Sequence, residues 1–500
     1  MVKPIRKVVI AGGGTAGWMT AAWLSKTLKG DLEEIVLVES DEIATVGVGE
    51  ATTPYIQIYN QVLEIDEAAF LKATHGTYKL GIEFVGWGHE ANRYFHAFGT
   101  YGRDFGALPF HAVWLRRALA DEAERLEDYN LQALAAETDR FMRPSGRNSP
   151  LAEIAYAYHF DASLYARFLR TMSEQAGVRR VEGKIQDVVL DARGFISGLR
   201  LDHDRFIDGD LFIDCTGFRA LLLGEAMGIG FEDWTHWLPC DRAYAVPSKS
   251  TGRLAPYTQS TAHEAGWQWR IPLQHRTGNG TVFSSAFIDE TVAVERLMRN
   301  LDAKPLADPR RLSFTTGRRQ KFWHNNCVAI GLASGFLEPL ESTSIMLIQN
   351  GIARLQYLFP DTGFEAADID AYNAEMTREY EEVRDFLILH YKLTQRNDSD
   401  FWRYCRSMST PDSLAARMSL FESRGRIPAE RGEQFKTPNW LAVMWGQGLR
   451  PRSADPLVAS IPEGAMRQSL ADIRDVIRTC RDCMPTQAEY LRHIGAGSIN

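Results

Sequence analysis

Apolar and polar positions follow two rhythms along this chain, and the changes between them mark its elements. A β-branched run at 7–11 gives way to helical spacing over 18–28, and a second apolar run at 35–38 completes a strand, helix, strand unit. Helical spacing returns at 110–137 and 164–176, with Asp161 and Ser163 near the start of the latter. The rhythm then becomes two-fold. Residues 185–190 and 196–201 flank the turn Asp191-Ala192-Arg193-Gly194 and predict a hairpin, and 210–217 predicts a buried strand ending in a turn. Alternation over 79–85 predicts one strand with Lys79, Gly81, Glu83 and Val85 on one face. In 267–272, Trp267 and Trp269 share a face opposite Gln268 and Arg270, and Pro272 is expected to stop the pairing. Helices are predicted from the apolar run that ends at Phe359 and over 368–393, and 423–433 reads as a surface loop.

The first of these units carries chemistry. Gly12-Gly13-Gly14-Thr15-Ala16-Gly17 follows the first strand directly and opens the helix, and Glu39 ends the second strand. This is the context in which G-x-G-x-x-G binds a dinucleotide: the glycines let the backbone approach a pyrophosphate, the helix start meets its charge, and the acid accepts from ribose hydroxyls. No second such motif for a nicotinamide cofactor follows, and the loop Val46-Gly47-Val48-Gly49-Glu50-Ala51-Thr52-Thr53-Pro54 is one that nicotinamide domains do not need. Both points favour FAD, reduced elsewhere.

Composition narrows the partners. Five hundred residues, 45% of them hydrophobic, exceed one compact core. A formal charge of −8 argues against nucleic acid or an anionic membrane, and no apolar run is long enough to span a bilayer, so a cytoplasmic location is expected. Six cysteines fit a reducing compartment, and Cys480 and Cys483 read as two helix-borne thiols, with no metal expected.

Three local features admit two readings each. Glu338 and Glu341 stand among apolar residues just ahead of Ser342, Thr343 and Ser344, which fits either a capped helix with an acidic first turn or a carboxylate beside a small-anion pocket. Lys79 on a small-residue face fits a cavity lysine or, more commonly, a solvated one. The cluster Tyr94-Phe95-His96-Ala97-Phe98 and the pair Trp267 and Trp269 suit pocket walls or plain packing.

Taken together, the glycine loop, Gly47-Val48-Gly49-Glu50-Ala51-Thr52, Lys79, the Trp-x-Trp-x-Ile-Pro motif at 267–272 and the stretch through Glu341-Ser342-Thr343 resemble the flavin-dependent tryptophan halogenase family along most of the chain. The resemblance implies an α/β fold: an FAD-binding, Rossmann-like domain of the flavin monooxygenase type with a mixed sheet, and a largely helical substrate domain. The expected boundaries are 1–105 and 150–350 for the FAD domain, with a sheet insertion at about 235–310, and 106–149 with 351–500 for the substrate-binding region. It implies FAD supplied as FADH2 by a separate NAD(P)H-dependent flavin reductase, chloride or bromide as substrate ion, a small aromatic substrate and a homodimer.

By position, Lys79 resembles the lysine that receives hypohalous acid, and Glu341 the glutamate that orients the electrophile or takes up the arene proton. Thr343 and Ser344 match the residues whose backbone amides bind halide. The family more often has glycine at the position of Ser344, a difference that bears on halide access. Gly12, Gly14, Thr15, Ala16, Gly17, Glu39, Glu50, Ala51, Ile185, Leu332 and Ile345 fall at FAD contacts, and His96, Phe98, Trp267 and Trp269 at the substrate pocket. Family members that act on free tryptophan carry a paired-tyrosine segment near the C-terminus, whereas residues 435–448 here have no Tyr-Tyr pair. Free tryptophan is therefore expected to be a poor substrate, and an indole or another electron-rich aromatic a better one. The rival readings are a flavin-dependent aromatic hydroxylase and an inactive FAD-binding protein.

Overall fold

The β-branched run Lys7–Ala11 is buried from Val8 onward because it is an inner strand of a six-stranded sheet. The computed structural model, which describes residues 3–42, 49–428 and 432–497, places beside it the strands Leu211–Asp214 and Glu34–Glu39, both parallel to it. Arg179–Glu182 and Cys327–Ala329 extend the parallel array, and Trp323–His324 closes one edge antiparallel. Buried on both faces, the four inner strands Lys7–Ala11, Glu34–Glu39, Leu211–Asp214 and Cys327–Ala329 read as largely continuous apolar runs rather than alternating ones. The helices Thr15–Thr27 and Ala162–Gln175 pack together beside this sheet; the second is capped by Asp161, whose carboxylate accepts from the Ser163 and Leu164 amides. The predicted hairpin forms between Ile185–Leu190 and Ile196–Leu201, with Phe206–Asp208 as a third strand.

The chain divides into two units: Met1–Gly76, Phe160–Thr235 and Phe314–Glu381 in the first, Thr77–His159, His236–Ser313 and Glu382–Asn500 in the second. These boundaries differ from those expected. The stretch at 235–310 does not insert into the FAD unit, because it builds a seven-stranded sheet with residues 81–97: Thr258–His263 pairs in parallel with Gly81–Val85, which pairs antiparallel with Arg93–Ala97. The second unit therefore has a sheet of its own beneath its helices.

Four other expectations are corrected. The helix over 110–137 is broken into Phe110–Ala118 and Leu131–Glu137, since Asp121 adopts a left-handed backbone and Asn130 caps the second piece through the Ala133 amide. The strand over 79–85 is two strands: Thr77–Lys79 pairs with Ala157–Asp161, then the chain leaves at Leu80, whose amide donates to the Pro256 carbonyl at 2.7 Å, and re-enters a different sheet at Gly81. Lys79 and Glu83 thus share no strand face. Pro272 does not end the pairing, for it remains opposite Thr277, and the strand stops at the tight turn from Leu273 to Arg276. Within 423–433, the first two residues finish the helix Asp412–Arg424 and Glu433 is buried against Arg417.

Candidate active site

In the first unit the glycine loop has the geometry of a pyrophosphate cradle. Gly12 sits at φ +107°, where an added Cβ would collide with the Cys215 carbonyl, so glycine is required twice over. The helix Thr15–Thr27 begins without a side-chain cap and without an acid in its first turn, leaving its N–H groups and positive end to a ligand anion. Glu39, at the end of its strand, lies over Gly13 so closely that a Cβ there would overlap its carboxylate. One of its oxygens accepts from Arg180 Nε at 2.6 Å, which orients the group toward the loop. Of the loop 46–54, Val46, Gly47 and Val48 lie outside the described residues; Glu50 and Ala51 stand on the short strand Gly49–Ala51, and burial pushes the Glu50 carboxyl up to about 7. Ile185 begins its hairpin strand, half-buried.

The stretch 331–345 reaches this loop. Gly331, at φ +74°, approaches Ala16 so closely that an added Cβ would lie 2.7 Å from the Ala16 methyl, and Leu332 follows in the same turn. Glu338 and Glu341 are both buried, Glu341 closing the turn Pro339–Glu341. Ser342 then takes a left-handed conformation, φ +61°, and the helix Ser344–Tyr357 starts. The hydroxyl residues do not cap it. Thr343 stands at the cap position with helical backbone and makes no side-chain cap bond, and its Oγ1 is buried with no hydrogen-bond partner among the described residues. An uncapped helix start with an orphaned hydroxyl and no acid in its first turn suits a small anion. Ser344 is half-buried and Ile345 buried at this start.

One group the sequence did not single out supports the cofactor end of the sheet. Asp214 is fully buried and accepts from Thr216 N and Oγ1 at 3.0 and 2.6 Å and from the Leu222 and Leu223 amides, both at 2.9 Å. Burial nonetheless raises its carboxyl above the ordinary value.

In the second unit Lys79 has no exposed surface. It pairs across the ladder with Ala157, whose small side chain leaves room, and its Nζ lies 5.2 Å from the centre of the Phe98 ring. A solvated strand lysine is thereby excluded. Also unforeseen, His159 stands beside it: Nδ1 lies 3.0 Å from Thr77 Oγ1 and Nε2 3.0 Å from Thr258 Oγ1. Burial, and then the Lys79 charge, push His159 well below its ordinary value. His96 accepts at Nε2 from Asn439 Nδ2 at 2.9 Å. Trp267 and Trp269 share a face with ring centres 6.1 Å apart; Trp267 is sealed against Trp87, and Trp269 lies over Gly280. The 435–448 segment forms the helix Thr437–Gly446, in which Trp440 packs edge-on to Phe386 and Trp445 edge-on to Trp114. Cys480 is helical and buried, and Cys483 follows at the helix end.

A family model for tryptophan halogenase matches residues 7–463. The chain is 36% identical to the 7-chloro-L-tryptophan 6-halogenase KtzR of Kutzneria sp. (strain 744), over 97% of this chain and 98% of that protein. Among solved structures, a flavin-dependent halogenase from Xanthomonas campestris superposes with a TM-score of 0.95 at 48% identity, covering 98% of this chain and 99% of that one. Another, from Brevundimonas sp. BAL3, gives 0.94 at 46% identity over the same shares. The expectation that free tryptophan is a poor substrate is not borne out by the curated relatives that are named as tryptophan or chlorinated-tryptophan halogenases. A missing tyrosine pair records one way of gripping an amino acid, not every way. The hydroxylase and inactive readings also give way, because the cradle, the uncapped helix start and the buried lysine coincide with a family match over nearly the whole chain. This chain belongs to the tryptophan halogenase family and is a flavin-dependent halogenase.

Proposed function

We propose that the chain halogenates an indole-type aromatic, tryptophan included, with chloride or bromide, using FADH2 delivered by a separate NAD(P)H-dependent flavin reductase. When bound, reduced FAD supplies with O2 the two-electron oxidation that turns halide into hypohalous acid. Gly12, Gly14, Thr15, Ala16, Gly17 and Glu39 would hold its pyrophosphate and ribose, and Glu50, Ala51, Ile185, Leu332 and Ile345 its remaining contacts. The amides of Thr343 and Ser344 bind halide. Lys79 receives hypohalous acid by hydrogen bond, its charge polarising the oxygen–halogen bond. The arene then forms a carbon–halogen bond as the oxygen–halogen bond breaks, the departing hydroxide takes a proton from the Lys79 ammonium and leaves as water, and Glu341 takes up the ring proton, which makes good the one lost by the lysine. His96 and Phe98 line the substrate pocket, and Trp267 and Trp269 wall it. A cytoplasmic homodimer completes the proposal; no helix among the described residues is long and apolar enough to cross a membrane.

The complete burial of Lys79 carries the reading, because an ammonium is costly to bury and is retained where its charge is used. The test incubates the protein with FAD, a flavin reductase, NADH, bromide or chloride, and indole or tryptophan, with products read by mass spectrometry. Halogenated product is expected, and Lys79→Ala is expected to abolish it while FAD binding and hypohalous acid formation persist. Halogenation surviving in a folded Lys79→Ala variant overturns the assignment.

A further inference from the structure

We propose that His159 is a positioning residue for Lys79, tying the short lysine strand to its neighbours so that the ammonium is held where it receives hypohalous acid. The inference rests on the reading of Lys79 given above. The lysine strand, Thr77–Lys79, is three residues long and leaves its sheet at once, so three ladder positions and a few side chains set the place of Nζ. On one face Tyr78 is stacked on Phe141 with ring centres 3.7 Å apart. On the other face stand Thr77 and Lys79, and His159 lies opposite Thr77 in the register.

For a neutral ring the hydrogen bonds there allow a single arrangement. Thr77 Oγ1 donates to the Pro272 carbonyl at 2.7 Å, which spends its only proton. The 3.0 Å contact with His159 must then run the other way, Nδ1–H donating to the threonine oxygen. Nε2 is therefore the ring's lone pair, and it accepts from Thr258 Oγ1–H at 3.0 Å. One neutral ring thus joins the lysine strand to the strand Thr258–His263, and through Thr77 to the tryptophan strand at Pro272, with both nitrogens satisfied. A protonated ring would have to donate at both nitrogens, which reverses the Thr258 hydroxyl and sets a second cation beside Lys79. The direction of the His159 shift agrees with that geometry.

The test follows where the oxidised halogen goes. Wild-type and variant proteins turn over with bromide and indole in the presence of taurine, which traps escaped hypohalous acid as a haloamine, and haloindole, haloamine and O2 consumption are measured together. His159→Phe, which fills the space without either hydrogen bond, is expected to lower the haloindole to haloamine ratio about tenfold, with O2 consumption and FAD affinity unchanged. His159→Asn places an amide N–H near the Nδ1 position and is expected to restore most of the ratio; His159→Gln, which cannot reach Thr77 in the same way, is not. Should His159→Phe be insoluble, Thr258→Val removes only the proton to Nε2 and is expected to lower the ratio about threefold. An unchanged ratio in the soluble variant, or a parallel fall of haloindole and haloamine, overturns the proposal. Lys79→Ala separates the two claims: a wild-type ratio there sinks the reading of the lysine itself, whereas a collapsed ratio beside an unaffected His159→Phe sinks only the positioning role.

Discussion

Gly280→Ala tests how the tryptophan wall is held. Gly280 lies on the strand Arg276–Phe283, directly opposite Trp269 in the ladder, and the indole occupies the space a side chain would need. An added methyl would overlap Trp269 Cζ2 and Cη2 and lie 2.5 Å from the Tyr244 carbonyl of the next strand, so neither side can yield without breaking a ladder. Overpacking of this kind costs about 1–3 kcal/mol. Trp269 is 8% exposed, and displacing its ring uncovers on the order of 60 Å², which adds about 1.5 kcal/mol at about 25 cal/mol per Å². The expected loss is about 2.5–4.5 kcal/mol, a fall in Tm of roughly 5–12 °C. Thermal and urea unfolding measure it, with near-UV circular dichroism reporting the indole. Trp269→Leu in the same chain removes the colliding ring and is expected to couple favourably with Gly280→Ala by at least about 1 kcal/mol. A single variant within about 0.5 kcal/mol of wild type, or a pair that is simply additive, would refute the packing argument.

Other substitutions probe the first unit. Glu50 has an ordinary value of 4.5 and is raised to about 7 in the folded chain. The folded state therefore keeps the proton through that window, and its contribution to stability is present below pH 4.5 and lost as pH rises through 7. Without added flavin, Glu50→Gln should leave Tm unchanged near pH 4 and raise it near pH 8, as scanning calorimetry across pH would show. Asp214→Ala leaves the Leu222 and Leu223 amides buried without their acceptor and should cost about 3–5 kcal/mol, with Asp214→Asn costing less; urea unfolding decides. Ser344→Gly, which clears a side chain from the helix start, is expected to lower KM for halide without changing FAD affinity, measured by halide titration of product formation.

Local features were legible in the sequence and long-range ones were not. The glycine loop, Glu39 and the Asp161 cap could be read because their partners lie in the same unit of chain or on its first turn. The hydroxyl run at 342–344 misled, since Ser and Thr ahead of an apolar run resemble caps whether or not they cap. The strand break at Leu80 was hidden because period-two alternation continues through it, while a carbonyl at Pro256, far along the chain, captures the amide.

The same limit explains why Lys79 and His159 became visible by different routes. Lys79 looked like a surface lysine, and it was singled out by motifs elsewhere in the chain rather than by its neighbours. Its burial depends on Ala157 across the ladder, a pairing no short window contains. His159 sits within a run of aromatics, Tyr156, Tyr158 and Phe160, where a histidine reads as one more buried ring. Its meaning lies in Thr77, 82 positions before it, and Thr258, 99 after it, while Thr77 reaches Pro272 across 195 positions. Each partner is a common residue with no signature of its own. What gives them one consequence is proton accounting: once Thr77 has donated to Pro272, the tautomer of a neutral His159 and the direction of the Thr258 hydroxyl both follow. A chemical role of this kind is encoded in the tertiary arrangement of four strands, and it becomes legible only when their register is known.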